Sequence, residues 1–193
     1  KSLCYHIPIL EAALRETAGR SLYLAPTKAL AQDQLRSLRE LCSDQLPVQV
    51  EIFDGDTPSH ARRQIKAKAE VVLTNPDMLH LGILPNHKSW ARLFRNLRYV
   101  VLDEAHVYRG VFGSHIANIV RRLRRICRRY GSSPQFILCS ASIANPGELA
   151  ETLLGLPVTV VEEDASPFGG KEFVFWNPPL LNGINGARKS ATS

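Results

Sequence analysis

Short apolar runs recur along the whole chain. They are rich in Val, Ile and Leu, and polar and apolar positions do not alternate within them. Continuous apolar runs of this length are typical of strands that are buried on both faces of a sheet. The six predicted strands are Ser21–Ala25, Val48–Phe53, Val71–Thr74, Tyr99–Leu102, Gln135–Cys139 and Val158–Val161.

Segments with helical character separate these runs. In one of them Ile116, Ile119 and Leu123 recur at the spacing of a single helix face, and Ser114 is a suitable N-terminal cap. Strands that alternate with helices predict a parallel sheet with helices on both sides, which is an α/β fold. The predicted helices are Ser2–Thr17, Lys28–Leu41, Pro58–Ala69, Trp90–Asn96, Ser114–Tyr130 and Pro146–Leu153.

Helix start signals follow several of the predicted strands. The capping residues are Thr27, Thr57, Asn75 and Asn145, and the last three each precede a proline. Glu148 stands three residues after Asn145, as in a loose capping box. In an open parallel sheet such helix N-termini gather at the carboxyl edge of the strands. Their free N–H groups and positive dipole ends favour phosphate there.

The charge balance favours a polyanionic partner, because 24 Lys and Arg outweigh 18 Asp and Glu to give a net charge of +6. No apolar run approaches the roughly 18 residues of a membrane span, so no membrane partner is expected. Cys4, Cys42, Cys127 and Cys139 lack paired spacing and are interpreted as reduced core thiols rather than zinc ligands. The cysteine pattern predicts a cytosolic location.

An acidic pair stands directly after the apolar run Tyr99–Leu102. The motif is Asp103-Glu104-Ala105-His106, and its position puts two carboxylates at the carboxyl edge of the sheet. There the first carboxylate can hold Mg²⁺ beside nucleotide phosphates, and the second can orient and deprotonate the attacking water. We therefore expect Asp103 and Glu104 to be catalytic residues.

The first two residues, Lys1 and Ser2, match the end of the phosphate-binding loop Gly-x-x-x-x-Gly-Lys-Ser/Thr. In such a loop the lysine reaches the outer phosphates and the hydroxyl ligates Mg²⁺. A predicted helix follows at once, as this motif requires. We expect the first strand and the glycine loop to be missing from this sequence, and the chain alone to bind nucleotide poorly and to have little activity.

Taken in order, the motifs resemble those of the first RecA-like domain of superfamily 2 helicases of the DExH/DEAD type. Pro26–Leu30 is similar to the motif that holds the nucleic-acid backbone, and Gly55–Thr57 and Thr74–Asp77 are similar to two further backbone-contacting motifs. Ser140–Ser142 is similar to the motif that couples hydrolysis to movement, although Ser142 stands where the family usually has threonine.

The resemblance implies a RecA-like P-loop NTPase fold, a three-layer α/β/α sandwich with a mostly parallel sheet. It also implies ATP and Mg²⁺ as cofactors, with Ser2 and Asp103 holding the metal. The implied nucleotide-binding residues are Lys1, Ser2, Asp103, Glu104 and His106. The implied coupling residues are His106, Ser140, Ala141 and Ser142. The implied nucleic-acid-binding residues are Thr27, Lys28, Gly55, Thr57, Thr74 and Asp77.

Three further stretches resemble a narrower group, the bacterial mitomycin-repair helicases and their RecQ-four-like fungal relatives. The stretches are Leu84–Trp90, Tyr108–His115 and Ile143–Pro146. Members of this group are 3′-to-5′ DNA translocases, so the resemblance implies an ATP-dependent helicase that acts on single-stranded or partly duplex DNA in repair or recombination. A second RecA-like domain in the same chain is also implied. We expect the first domain to occupy residues 1–176 and a flexible linker to occupy residues 177–193.

Two alternatives to a DNA helicase remain open. An RNA-remodelling ATPase of the DEAD/DEAH type would carry the same motifs, because no residue is expected to read a 2′-hydroxyl directly. A non-hydrolysing nucleic-acid-binding module is the second alternative, and the intact Asp103 and Glu104 argue against it.

Several other positions have simpler interpretations. The arginines between positions 121 and 129 are interpreted as a solvated helix face, with a DNA track as the alternative. The segment Tyr108–His115 is left open between contact with DNA and contact with a second domain. Trp90 and Phe94 are predicted to pack in the core, and Asp54 and Asp56 to form a turn rather than a metal site.

Overall fold

The computed structural model of the chain describes residues 2–14, 19–42, 46–141 and 143–161, together with positions 169, 170, 172, 174 and 177. The predictions for Lys1, for Ser142 and for nearly all of the linker lie outside these described residues. The chain divides into two units, residues 1–160 and 161–193, and every described helix and strand belongs to the first. The domain boundary expected after residue 176 stays a prediction.

Five strands form one sheet in which every pair of neighbours is parallel. The strands are β1 (Arg20–Leu24), β2 (Val50–Ile52), β3 (Val71–Thr74), β4 (Leu97–Leu102) and β5 (Gln135–Leu138). Their order is β2-β3-β1-β4-β5, so β1 is central and lies between β3 and β4. The register places Leu22 of β1 opposite Val72 on one side and Val100 on the other.

Seven α-helices connect or flank the strands in the described part of the chain. They are α1 (Leu3–Leu14), α2 (Lys28–Leu41), α3 (Ser59–Lys68), α4 (Pro76–Met78), α5 (Ala91–Arg95), α6 (Gly110–Arg129) and α7 (Pro146–Leu154). A π-helical turn, Leu79–Ile83, continues α4, and short 3-10 turns span His87–Trp90 and Ala105–Val107. Among these described helices, none combines the length and apolar character needed to cross a membrane.

The strands bury side chains on both faces, because successive residues of a strand point to opposite sides of the sheet. Leu22, Val72 and Val100 pack into one core with residues of α3, α5, α6 and α7. Tyr23 and Leu73 pack into a second core with residues of α1 and α2. The predicted three-layer α/β/α sandwich is therefore confirmed.

The sixth predicted strand, Val158–Val161, is wrong. These residues pair with no strand of the described sheet, and Val160 and Val161 are 40% and 86% exposed. The β-branched sequence favours an extended backbone, but a strand also requires a neighbour that supplies its hydrogen bonds.

Two of the predicted helix caps are confirmed. The Thr27 hydroxyl accepts a hydrogen bond from Leu30 N at 3.3 Å, and the Asn75 amide oxygen accepts one from Met78 N at 2.7 Å. Each satisfies an N–H group that has no partner inside the helix. Both helices therefore begin at the carboxyl edge, where the sequence placed them.

The other two predicted caps do not form the expected hydrogen bond from side chain to helix backbone. The Thr57 hydroxyl accepts a hydrogen bond from Asp54 N at 2.9 Å, and Pro58 takes the cap position of α3 without a side-chain bond. Asn145 occupies the cap position of α7, but its amide donates to the Glu148 carboxylate at 2.8 Å instead of capping the backbone. In each case the side chain bonds to a nearby polar group instead of to the first backbone N–H groups of the helix.

Helix α6 begins at Gly110 and not after a Ser114 cap, so that prediction is wrong. Ser114 lies within the first turns, where its hydroxyl donates to Gly110 O at 3.1 Å. The first turn carries the exposed residues Val111 and Phe112, which add nothing to the buried stripe from which the helix was predicted. The segment Tyr108–His115 is thus mostly helix.

The core and turn predictions between the motifs are confirmed. Trp90 and Phe94 are fully buried, and the ring of Trp90 meets Phe53 edge-on with 4.7 Å between ring centroids. Asp56 N donates to Asp54 Oδ1 at 2.9 Å, which closes the turn after β2. The thiol prediction is right for Cys127, which is buried, and wrong for Cys4, which is exposed, and none of the four described cysteines forms a disulfide.

Candidate nucleotide and nucleic-acid site

The carboxyl edge of the sheet brings the acidic motif next to the end of β5. Asp103 N donates to Leu24 O at 3.1 Å, and Ala105 N donates to Cys139 O at 2.8 Å. These backbone bonds fix the acidic motif to the ends of both neighbouring strands, β1 and β5. The two carboxylates therefore project from a rigid part of the fold, as the strand pattern predicts.

Asp103 is nearly buried and is held through both oxygens. Its Oδ1 accepts a hydrogen bond from Glu104 N at 2.9 Å, and its Oδ2 accepts one from the Tyr23 hydroxyl. A carboxylate has about four lone-pair positions, so two remain for another partner. The two hydrogen bonds therefore fix the orientation of the Asp103 carboxylate and leave it able to bind a cation.

Tyr23 belongs to a buried polar network that sequence reasoning missed. Its hydroxyl lies 3.3 Å from the Tyr5 hydroxyl, which donates in turn to Gln34 Oε1 at 3.3 Å. Burial and the bond to Asp103 raise the pKa of Tyr23 far above its usual value, so the phenol stays protonated. The available signal was a tyrosine in a strand predicted to be buried on both faces, because such a hydroxyl needs a partner.

His6, the residue after Tyr5 in α1, also belongs to this network. Its side chain is fully buried, and Nε2 lies 3.0 Å from Gln34 Oε1. This partner lies 28 positions away in α2, so the local sequence around His6 does not predict the contact. Burial lowers the pKa of His6, which favours the neutral ring.

Glu104 adopts a left-handed backbone conformation with a φ of 49°, which is uncommon for a residue with a side chain. This turn ends β4 and starts the 3-10 turn Ala105–Val107. The Glu104 carboxylate lies 3.1 Å from His106 Nδ1, and both side chains are about one-third exposed. Glu104 is therefore reachable from solvent, whereas Asp103 beside it is nearly enclosed.

His106 joins the acidic motif to the segment after β5. Ala141 N donates to His106 Nδ1 at 3.3 Å, and the same nitrogen lies 3.1 Å from Glu104 Oε2. The nitrogen accepts from Ala141 only when it carries no proton, and it donates to Glu104 only when it does. Only one of these two hydrogen bonds can therefore form at a time. Ser140, the residue before Ala141, is half-buried at the end of β5.

Of the two predicted phosphate-loop residues, Ser2 directly precedes α1. Ser2 is described, and its carbonyl accepts hydrogen bonds from Tyr5 N at 3.2 Å and His6 N at 2.9 Å. Lys1 lies outside the described residues. Helix α1 packs against β1 and β4, on the face that carries Tyr23. Ser2, just before α1, and Asp103, just after β4, therefore adjoin neighbouring elements.

The predicted nucleic-acid residues divide into an exposed and a buried group. Thr27, Lys28, Gly55 and Asp77 are exposed. Lys28 Nζ lies 2.5 Å from Asp56 Oδ2, so the first backbone-contacting motif and the turn after β2 meet in an ion pair. This bond raises the pKa of Lys28.

Thr57 and Thr74 form the buried group. Thr57 Oγ1 donates to Ile52 O at 3.2 Å, and Thr74 Oγ1 donates to Phe53 O at 2.6 Å. Both hydroxyls hold the end of β2 in place. In this conformation both side chains are buried, and the hydroxyl groups bond within the protein.

The sequence model of the DEAD/DEAH box helicase family matches residues 1–149. The uncharacterized ATP-dependent helicase YprA of Bacillus subtilis is 51% identical over 100% of the chain, which spans 26% of that protein. The ATP-dependent helicase hrq1 of Schizosaccharomyces pombe is 44% identical over 94% of the chain, which spans 18% of that protein.

Solved structures of a helicase are similar to the chain as well. The crystal structure of the helicase MrfA bound to DNA is similar, with a TM-score of 0.93 and 51% identity over 100% of this chain and 26% of that one. The crystal structure of MrfA with DNA and AMPPNP has a TM-score of 0.90 and 51% identity over 99% of this chain and 27% of that one. These comparisons confirm the RecA-like fold and the predicted relationship. The chain belongs to the DEAD/DEAH box helicase family.

Proposed function

We propose that this chain is part of an ATP-driven motor that translocates on DNA in the 3′-to-5′ direction and separates duplex strands in repair or recombination. The arrangement around Asp103 and Glu104 carries the proposal, because it holds one carboxylate rigidly and leaves its neighbour accessible at the edge of the sheet. The similarity to ATP-dependent helicases supports the same activity. Since the chain spans about a quarter of such relatives, the activity is proposed for the full-length protein.

The donor set suits ATP with Mg²⁺. Asp103 offers hard carboxylate oxygens with free lone pairs, the type of ligand that Mg²⁺ prefers, and Ser2 would supply a hydroxyl. Mg²⁺ would neutralise charge on the nucleotide phosphates. Lys1 would bind the outer phosphates, and Glu104 would orient and deprotonate the attacking water. The similar MrfA structure with AMPPNP supports an adenine nucleotide as the ligand.

His106 would report the state of the nucleotide to the rest of the motor. It contacts Glu104 on one side and Ala141 on the other, so a change at Glu104 alters which partner His106 holds. Ser140 and Ser142 flank Ala141 and would pass the change on. A second RecA-like domain in the same chain would close over the nucleotide and respond to this movement.

The DNA strand would run along the carboxyl edge. Thr27, Lys28, Gly55 and Asp77 present exposed backbone and side-chain groups there. Lys28 would exchange its Asp56 partner for a phosphate. Thr57 and Thr74 would contribute by holding the turns that carry these contacts. Contacts of this kind position a strand without reading its sequence.

DNA is favoured over RNA because the similar MrfA structures contain DNA. A DNA motor would work in the bacterial cytoplasm at the nucleoid, or in the nucleus of a eukaryote. A non-hydrolysing module is disfavoured because Asp103 and Glu104 are both present and are held at the edge.

The test is ATP hydrolysis by the full-length protein with no polymer, with single-stranded DNA, or with RNA of equal length and sequence. We expect DNA to increase the rate much more than RNA does. Stimulation mainly by RNA would move the protein to the RNA-remodelling class. Nucleotide binding without hydrolysis under every condition would support the non-hydrolysing module.

A further inference from the structure

An arginine-lined cleft, defined here by Arg121, Arg122, Arg124, Arg125 and Arg128 of α6, opens beside the start of α4. It has a volume of about 640 Å³, and its wall also includes Asp77 and His80. Five arginines therefore face a single carboxylate. Such a cleft concentrates positive potential and attracts anions.

Two of these arginines are fixed by the protein itself. Arg122 donates to His80 O at 3.3 Å, and Arg124 donates to Leu154 O at 2.8 Å. Their side chains join α6 to the π-helical turn and to the end of α7. The cleft therefore has rigid walls, and these two guanidinium groups keep their charges beside it.

Arg125 and Arg128 differ from these two, because they are exposed and form no ion pair with a carboxylate in the described part of the chain. Together with Arg121 they lie three or four positions apart, which places them on one face of the helix about one turn from each other. This is a row of available charges and not a network of surface salt bridges.

One end of the cleft adjoins the proposed DNA path at the carboxyl edge of the sheet. Asp77, which lines it, is the last residue of the motif Thr74–Asp77 at the carboxyl edge. A second cavity of about 460 Å³ shares Asn118 and Arg121 with the cleft and reaches Asn145, which follows the coupling motif. A groove along α6 thus meets the carboxyl edge at two points.

We propose that the arginine-lined cleft binds the phosphate backbone of the nucleic acid on which the motor acts, as a contact additional to those at the carboxyl edge. The proposal rests on the function proposed above. Continuity with Asp77 favours nucleic acid over an acidic protein as the occupant, and unpaired guanidinium groups suit phosphate oxygens. The interpretation of these arginines as only a solvated helix face would then be incomplete.

The test compares two double variants of the full-length protein, Arg125→Gln with Arg128→Gln and the control Arg95→Gln with Arg129→Gln. The control removes the same charge from exposed arginines that do not line the cleft. Binding of fluorescent single-stranded DNA and of a DNA with a single-strand to duplex junction is followed by anisotropy over a series of salt concentrations.

We expect the cleft variant to weaken binding and to reduce the slope of log K against log salt by about 1.4 on a single strand or 1.8 on a duplex, for two lost phosphate contacts. The control should do neither. Equal affinity and slope in the two variants would overturn the proposal, and a cleft for an acidic protein would give that result. If the unmodified protein bound no nucleic acid, the proposed function and the cleft proposal would fall together.

Discussion

At the scale of single residues, the acidic motif depends on a phenol that stays protonated. The Tyr23 hydroxyl donates to Asp103, and burial raises the pKa of Tyr23 far above its usual value. A hydrogen bond to a carboxylate is stronger than one between neutral groups, so it restricts the Asp103 side chain more firmly than packing alone. Tyr23 is therefore a positioning residue for Asp103.

The Tyr23→Phe variant should need more Mg²⁺ for ATP hydrolysis, although it keeps every proposed catalytic group. Loss of a partner that orients a metal ligand typically costs about 10-fold to 100-fold in metal affinity or activity. We expect the Mg²⁺ concentration that gives half-maximal ATP hydrolysis by the full-length protein to rise by roughly that factor. Tyr5→Phe is the matched control, because Tyr5 bonds to Tyr23 and Gln34 and not to Asp103. Equal Mg²⁺ requirements in both variants would exclude the positioning role.

The sequence was sufficient to place Asp103 and Glu104 at the carboxyl edge of the sheet, because an acidic pair directly after a buried strand is local information. It was insufficient for Tyr23 and His6, because their partners depend on which elements become neighbours. Tyr23 reaches Asp103 only because β1 lies beside β4 in the sheet. The buried state of Thr57 likewise depends on hydrogen bonds with Asp54 N and Ile52 O, which the predicted turn alone does not specify.

At the scale of elements, the start of α6 shows where a close approach controls a helix. A Cβ on Gly113 would lie 2.5 Å from Tyr108 O and 2.8 Å from its carbonyl carbon, which is closer than real Cβ atoms come. Tyr108 is fully buried, so its backbone has little room to move. Glycine at this position lets the helix begin directly after the 3-10 turn that carries His106.

Gly113→Ala should therefore destabilise the chain, whereas Ser114→Ala should not. Overpacking of this kind costs about 1–3 kcal/mol, and an exposed residue that caps nothing changes stability by about 0.5 kcal/mol or less. Urea unfolding of the two variants measures both effects. A loss near 1 kcal/mol from Ser114→Ala would instead be the signature of a helix cap. An unchanged midpoint for Gly113→Ala would show that the helix start can shift.

Element types were predicted well and element ends less well. All five strands come from short apolar runs, and the structure has each of them within two residues of the expected ends. The end of α6 was predicted within one residue because the buried stripe continues to it, whereas its first turn carries exposed Val111 and Phe112. Val158–Val161 shows that strand propensity without a pairing partner does not make a strand.

At the scale of the whole molecule, we propose that the carboxyl edge is one working surface. Asp103 and Glu104 at the end of β4, Ala141 after β5, and Lys28 at the start of α2 all belong to it. The edge joins a proposed site for nucleotide to a proposed site for DNA, and His106 lies between Glu104 and Ala141. Because the chain spans about a quarter of its bacterial relative, the complete motor must be tested in the full-length protein.

The most direct test is the Glu104→Gln variant of the full-length protein, assayed for ATP binding and for ATP hydrolysis with saturating single-stranded DNA. Glutamine keeps the shape of the side chain but cannot accept the proton of water. If Glu104 activates water, hydrolysis should fall by about 10²–10⁴-fold. ATP binding should stay close to that of the unmodified protein, because Glu104 is not proposed to hold the phosphates. A variant that hydrolyses ATP at the rate of the unmodified protein would contradict the proposal that Glu104 activates water.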